Sequence, residues 1–171
     1  MLQDELIARL ARQIDAVKKA EHCVVDADCV SELRRRGAVE LYRFCADFVS
    51  SVNGKLTQAT LDLSPPAFTP DMFQEIAPNL IRVGAEGREM QITFQAPKQL
   101  ISTEKFLTPY VLEGEVRTYN QRMLQHFEVR TLALYFCVDP DNAEWRFFDW
   151  RTKHSGPVGP ELFVDLMGRL F

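Results

Sequence analysis

The segment from Met123 to Val138 constrains this fold more than any other stretch of the chain. Its first half mixes polar and apolar residues. Its second half is apolar on both sides of the alternation, with Leu132, Leu134, Phe136 and Val138 on one side and Ala133, Tyr135 and Cys137 on the other. Read as a single β-strand, it is wet at one end and covered on both faces at the other. Such a strand is central in a sheet, with helices on one face and a second cover on the other. That second cover is where function is expected, although the residues do not say what it is.

The flanking residues make it the middle of three consecutive strands between Thr108 and Trp150. In the first, Tyr110, Leu112, Gly114, Val116 and Thr118 share one face, against Val111, Glu113, Glu115, Arg117 and Tyr119. Asn120-Gln121 reads as a turn, and Asp139-Pro140-Asp141-Asn142 as a stronger one before the strand Glu144–Trp150. Trp145 and Phe147 share one side of that strand and Phe148 and Trp150 the other. An edge strand of this kind needs burial twice, by helices on one side and by a partner chain or the terminal helix on the other.

Upstream, Ile7, Leu10, Ile14 and Val17 place one apolar stripe on a first helix, extended by Leu2 and Leu6, with Arg9, Arg12, Asp15 and Lys19 opposite. The stripe suits packing on its own domain or on a twin helix. After a connector from Glu21 to Ala27, Asp28 is the expected cap of a longer helix, which buries Val30, Leu33, Gly37, Leu41 and Cys45 and stops at Asn53-Gly54 in the left-handed conformation. A short strand is expected in 55–63, ended by Ser64-Pro65-Pro66, and a short helix after the Thr69-Pro70 start. Asn79–Ala85 and Arg88–Ala96 form a hairpin about Glu86-Gly87, with Met90, Ile92 and Phe94 on the covered face. Residues 97–107 are a connection and the best loop to border a site. Arg151 to Pro160 reads as a Gly/Pro loop, and Glu161 to Leu170 as a last helix with Leu162, Phe163, Leu166 and Leu170 on one face.

The expected fold class is therefore α+β: a single domain, 1–171, with N-terminal helices and a C-terminal helix on a curved antiparallel sheet of five to six strands. In element order the chain resembles the NTF2-like cone, in which a helix-lined sheet encloses a pocket, and a closing strand with Glu144-Trp145-Arg146 is compatible with that. A two-layer sandwich of the kind used by secretion chaperones is the alternative.

A formal net charge of −4 argues against nucleic acid as a partner. No run is apolar enough to span a membrane, and the acidic start after Met1 lacks a signal-peptide pattern, so the cytoplasm is the expected location. Cys23 and Cys29 are too widely spaced for a C-x-x-C metal motif, and Cys45 and Cys137 sit in apolar runs as buried thiols. No metal and no cofactor is expected.

Three constellations can carry chemistry. His126, Glu128 and Arg130 lie two apart and share one face of the expected strand Met123–Val138, above an apolar floor; with Trp145 they are the candidate ligand-binding residues. The plainer alternative is a solvated charge ladder. Arg151, Lys153 and His154 beside Ser155-Gly156 are a candidate anion-binding loop, or simply a loop between strand and helix. Asp149, His154 and Ser155 have the residue types of a nucleophilic triad but no elbow motif, so no catalytic residue is assigned. Arg34-Arg35-Arg36 spreads around a helix and is expected to be solvated. The leading functional expectation is a non-catalytic interaction module that forms a homodimer. The alternative is a small-molecule binder or enzyme with a pocket near His126, Glu128 and Arg130.

Overall fold

The computed structural model describes residues 2–23, 26–126, 128–139 and 142–171, with the backbone alone at residues 2 and 17–23. Val17, Lys19 and the Cys23 thiol of the sequence reading lie outside the described side chains, as does Leu2; Pro140 and Asp141 of the last turn lie outside the described residues. Two helices, α1 (Leu2–Cys23) and α2 (Ala27–Asn53), lead into β1 (Asp62–Ser64), a 3-10 turn (Pro70–Met72), β2 (Asn79–Ala85), β3 (Arg88–Gln95) and β4 (Tyr110–Asn120). A short α3 (Gln121–Gln125) precedes β5 (Arg130–Asp139), β6 (Asn142–Asp149), β7 (His154–Pro157) and α4 (Pro160–Gly168). The strands form one antiparallel sheet in chain order, β1 to β7. The α+β class holds, with seven strands where five to six were expected.

The β2–β3 hairpin forms where Glu86-Gly87 placed it. Both turn residues have positive φ, 51° and 77°, the geometry whose twist matches two antiparallel strands. Met90, Ile92 and Phe94 are fully buried on the helix side. The seventh strand, β7, arises inside the stretch read as a loop. Asp149 accepts a hydrogen bond from the Arg151 N–H at 3.0 Å, Lys153 takes a left-handed φ of 62°, and the chain returns to pair with β6. Consequently β6 is not an edge strand.

Four further expectations change. The cap of α2 is Asp26, whose carboxylate accepts from the Asp28 N–H at 3.0 Å. Gly54 ends the same helix with a right-handed φ of −62°. The stop there is aided by the Asn53 side chain, which bonds both backbone groups of Leu61, at 2.8 and 3.0 Å, and turns the chain toward the sheet. The strand expected in 55–63 shrinks to β1. Last, Met123–Val138 is not one strand: Asn120 accepts from the Met123 N–H at 2.8 Å and caps the helical turn α3, so β5 starts only at Arg130.

The longer α2 covers the sheet, as expected. Its Val30, Leu41 and Cys45 are fully buried in one core with Ile81, Ile92, Leu112, Leu134 and Phe136. Gly37 brings the helix close: a Cβ there would lie 2.5 Å from the Phe136 ring. Its carbonyl accepts from the Trp145 indole N–H at 2.7 Å. One turn earlier, Arg34 is buried. It donates to the Val111, Gln99 and Leu100 carbonyls at 3.0, 3.2 and 3.0 Å and to the Glu75 carboxylate at 3.1 Å. Ser31 donates to the same carboxylate at 2.6 Å. The arginine run is thus split, with Arg34 an internal anchor and Arg35 and Arg36 exposed. The helix α4 packs beside α2 through Phe48 and Phe163, with ring centroids 5.6 Å apart.

Candidate functional site

The first constellation does not assemble. His126 caps the C-terminus of α3 and is exposed, and Glu128, also exposed, precedes β5 with its N–H bonded to the Met123 carbonyl at 2.7 Å. Neither lies on a strand, because the Asn120 cap competes successfully with the alternation. Trp145 is buried beneath α2 and serves the core. Of the three charged residues Arg130 alone lies on the sheet, facing the helix side.

There it meets part of the second constellation. Arg130 and His154 line one groove of about 660 Å³ between α4 and the ends of β5–β7, floored by Leu132 and Phe147. Arg151 and Lys153 do not line it: Lys153 lies over the Trp150 ring at 5.6 Å, and Arg151 is exposed. Arg130 reaches Asp165 at 3.2 Å and Asp149 at 4.0 Å, and Asp165 in turn meets Arg169 at 3.3 Å. The charges of this groove are therefore largely satisfied by one another. Burial pushes the Asp149 carboxyl up, but hydrogen bonds from the Arg151 and Thr152 backbone, with the Arg151 charge, hold its pKa below the ordinary value. Among the described residues one buried side-chain atom lacks a hydrogen-bond partner, the Arg130 Nε. The arrangement clamps α4 to the sheet.

The second cover demanded by β5 is the connection 96–109, lying on the face without helices. Phe106 stacks on Tyr135 with centroids 4.7 Å apart and planes at 7°, and Tyr110 meets the same ring at 4.8 Å. With Cys137 they form a smaller core. Burial pushes the Tyr135 hydroxyl to about 12, helped by Tyr110 and Glu113, and burial likewise holds the Cys45 and Cys137 thiols at about 12. Both thiols are buried, as expected. Phe148 also faces this cover, 6.2 Å from Phe106, so the outer side of β6 is covered there by the connection and not by α4.

Beside this cover lies a hollow of about 290 Å³, lined by Thr93, Gln95, Lys105, Glu113, Glu115 and Tyr135. Sequence reasoning named the bordering loop but missed the carboxylates, which looked like ordinary solvated positions of an alternating strand.

The remaining unusual surface is α1. Leu6, Ile7, Leu10 and Ile14 are each 55–60 % exposed, and the helix meets the sheet at β5. A gap of about 510 Å³ separates it from the body, lined by Leu10, Ile14, Leu107, Pro109 and Val138, and Leu107 is itself almost fully exposed. No helix among the described residues is long and apolar enough to cross a membrane. No protein-family model, no curated protein and no solved structure matches this chain.

Proposed function

We propose that this protein is a non-catalytic interaction module of the cytoplasm that forms a homodimer through α1. The observation that supports this is the uncovered stripe of Leu6, Ile7, Leu10 and Ile14. A helix in a protein draws most of its stability from packing an apolar face. Completing the burial of these half-covered Leu and Ile side chains is worth about 3–7 kcal/mol per chain, at about 1.5–3 kcal/mol for each full burial. A two-fold pair sets the same stripe against itself and needs no second kind of surface. The exposed Leu107 and the gap beneath α1 continue the apolar surface onto the body.

Sedimentation equilibrium on the intact chain tests this. The expected result is a dimer, converted to monomer by Leu10→Glu with Ile14→Glu while the far-ultraviolet spectrum of the sheet is retained. A wild-type chain that stays monomeric up to about 100 μM, a range in which an interface worth about 6 kcal/mol would be well populated, overturns the proposal.

A further inference from the structure

The hollow on the open face is built of acceptors. Glu113 stands on β4 between Gln95 of β3 and Tyr135 of β5, its cross-strand neighbours, and its side chain is 14 % exposed. Glu115 follows on the same face, opposite Thr93. Tyr135 is 3 % exposed and its ring is fixed between Phe106 and Tyr110, yet its hydroxyl makes no hydrogen bond to another described residue. The ring lines the hollow, and its unbonded oxygen is not enclosed but keeps contact with solvent there. Lys105, the one cation among the described lining residues, reaches Glu113 at 3.2 Å from a side chain 56 % exposed to solvent, and Glu115 is paired from outside the hollow by the similarly exposed Arg117 at 2.6 Å. A lysine so exposed compensates a largely buried carboxylate poorly.

We propose that this hollow binds a small molecule through a primary ammonium or guanidinium group, which takes the place of Lys105 at Glu113 and also engages Glu115 and the Tyr135 hydroxyl. An ammonium carries three donors and a guanidinium five, and neither needs an acceptor, which suits a wall of carboxylates, a hydroxyl and an amide. An anion would face two carboxylates whose paired cations, Lys105 and Arg117, are both more than half exposed and screened. An apolar ligand would strip water from those carboxylates and return no hydrogen bond. The volume, near the lower end of small-molecule pockets at about 300 Å³, fits the charged end of an alkyl amine with its tail leaving toward solvent. In this reading Lys105 is a built-in competitor.

The probe is agmatine, titrated calorimetrically into the intact protein at about 20 mM salt, where screening is weak. Saturable one-site binding is expected. Glu113→Gln weakens it about tenfold or more, as loss of a charge-assisted bond does. Tyr135→Phe weakens it about three- to tenfold without lowering the melting temperature, because the hydroxyl lost has no partner among the described residues. Lys105→Gln tightens it by up to about fivefold, the worth of an exposed ion pair. Absence of saturable binding up to about 10 mM agmatine, weaker than any useful site, overturns the proposal. So does binding that Glu113→Gln and Tyr135→Phe leave unchanged, or that Lys105→Gln weakens. Should Glu113→Gln fail to fold, Tyr135→Phe decides alone. The outcome is independent of whether α1 pairs.

Discussion

The two N-terminal helices are both amphipathic, and the chain treats them differently. The apolar stripe of α2 is buried to completion at Val30, Leu41 and Cys45, whereas the stripe of α1 is left more than half in solvent at Leu6, Ile7, Leu10 and Ile14. Periodicity is not what separates them. What distinguishes α2 is a device for close approach and a device for fixing orientation. Gly37 lets the helix backbone descend onto Phe136, and the same residue's carbonyl receives the Trp145 indole. Arg34 fixes rotation and position by grasping three carbonyls and a carboxylate on distant segments. Long aliphatic side chains alone define a face; a small residue and a directional anchor define where that face docks.

Removing the anchor is the strongest way to break this contrast. Arg34→Ala leaves Glu75 without its cationic partner and three carbonyls without a donor, and a loss of about 3–5 kcal/mol in unfolding free energy is expected from urea denaturation. Gly37→Ala attacks the close approach instead. Its methyl group would press on the Phe136 ring and tilt the helix away from Trp145, at a cost of about 1–3 kcal/mol, visible as a lower melting temperature and altered Trp fluorescence. The weakest effect is expected on α1. Leu6→Ala, measured at concentrations where the chain is monomeric, should change unfolding free energy by no more than about 0.5 kcal/mol, as at other exposed sites. A large loss there would mean that α1 is anchored to its own body after all.

Much of the frame was legible in residue order. The hairpin at Glu86-Gly87 was, because that pair supplies the required backbone conformation locally. So was the need for a second cover, because Tyr135 and Cys137 are apolar on the face opposite Leu134 and Phe136. The candidate site was less legible, for three local reasons. The Asn120 side chain captured the Met123 amide and turned the expected strand residues His126 and Glu128 into a helix end and a connection. The burial of Arg34 was hidden in a run of three like residues, although its phase with Val30, Gly37 and Leu41 placed it on the covered face. The groove at Arg130 and His154 depends on β7, whose pairing is set by the Asp149-capped turn rather than by apolar alternation.

The register of β4 against β5 shifts between Tyr110 and Leu112. Strict alternation would have put both on the same side. Instead Leu112 enters the core beneath α2 and Tyr110 the smaller core beneath the connection 96–109. One surplus residue thus makes a single strand the party wall of two rooms. Ser102 and Tyr110 exchange backbone hydrogen bonds at 2.9 Å in both directions, so the segment that roofs the second room is hung from the wall it covers. Neither room has walls of its own to fall back on, and an insertion or deletion at this joint would open both at once.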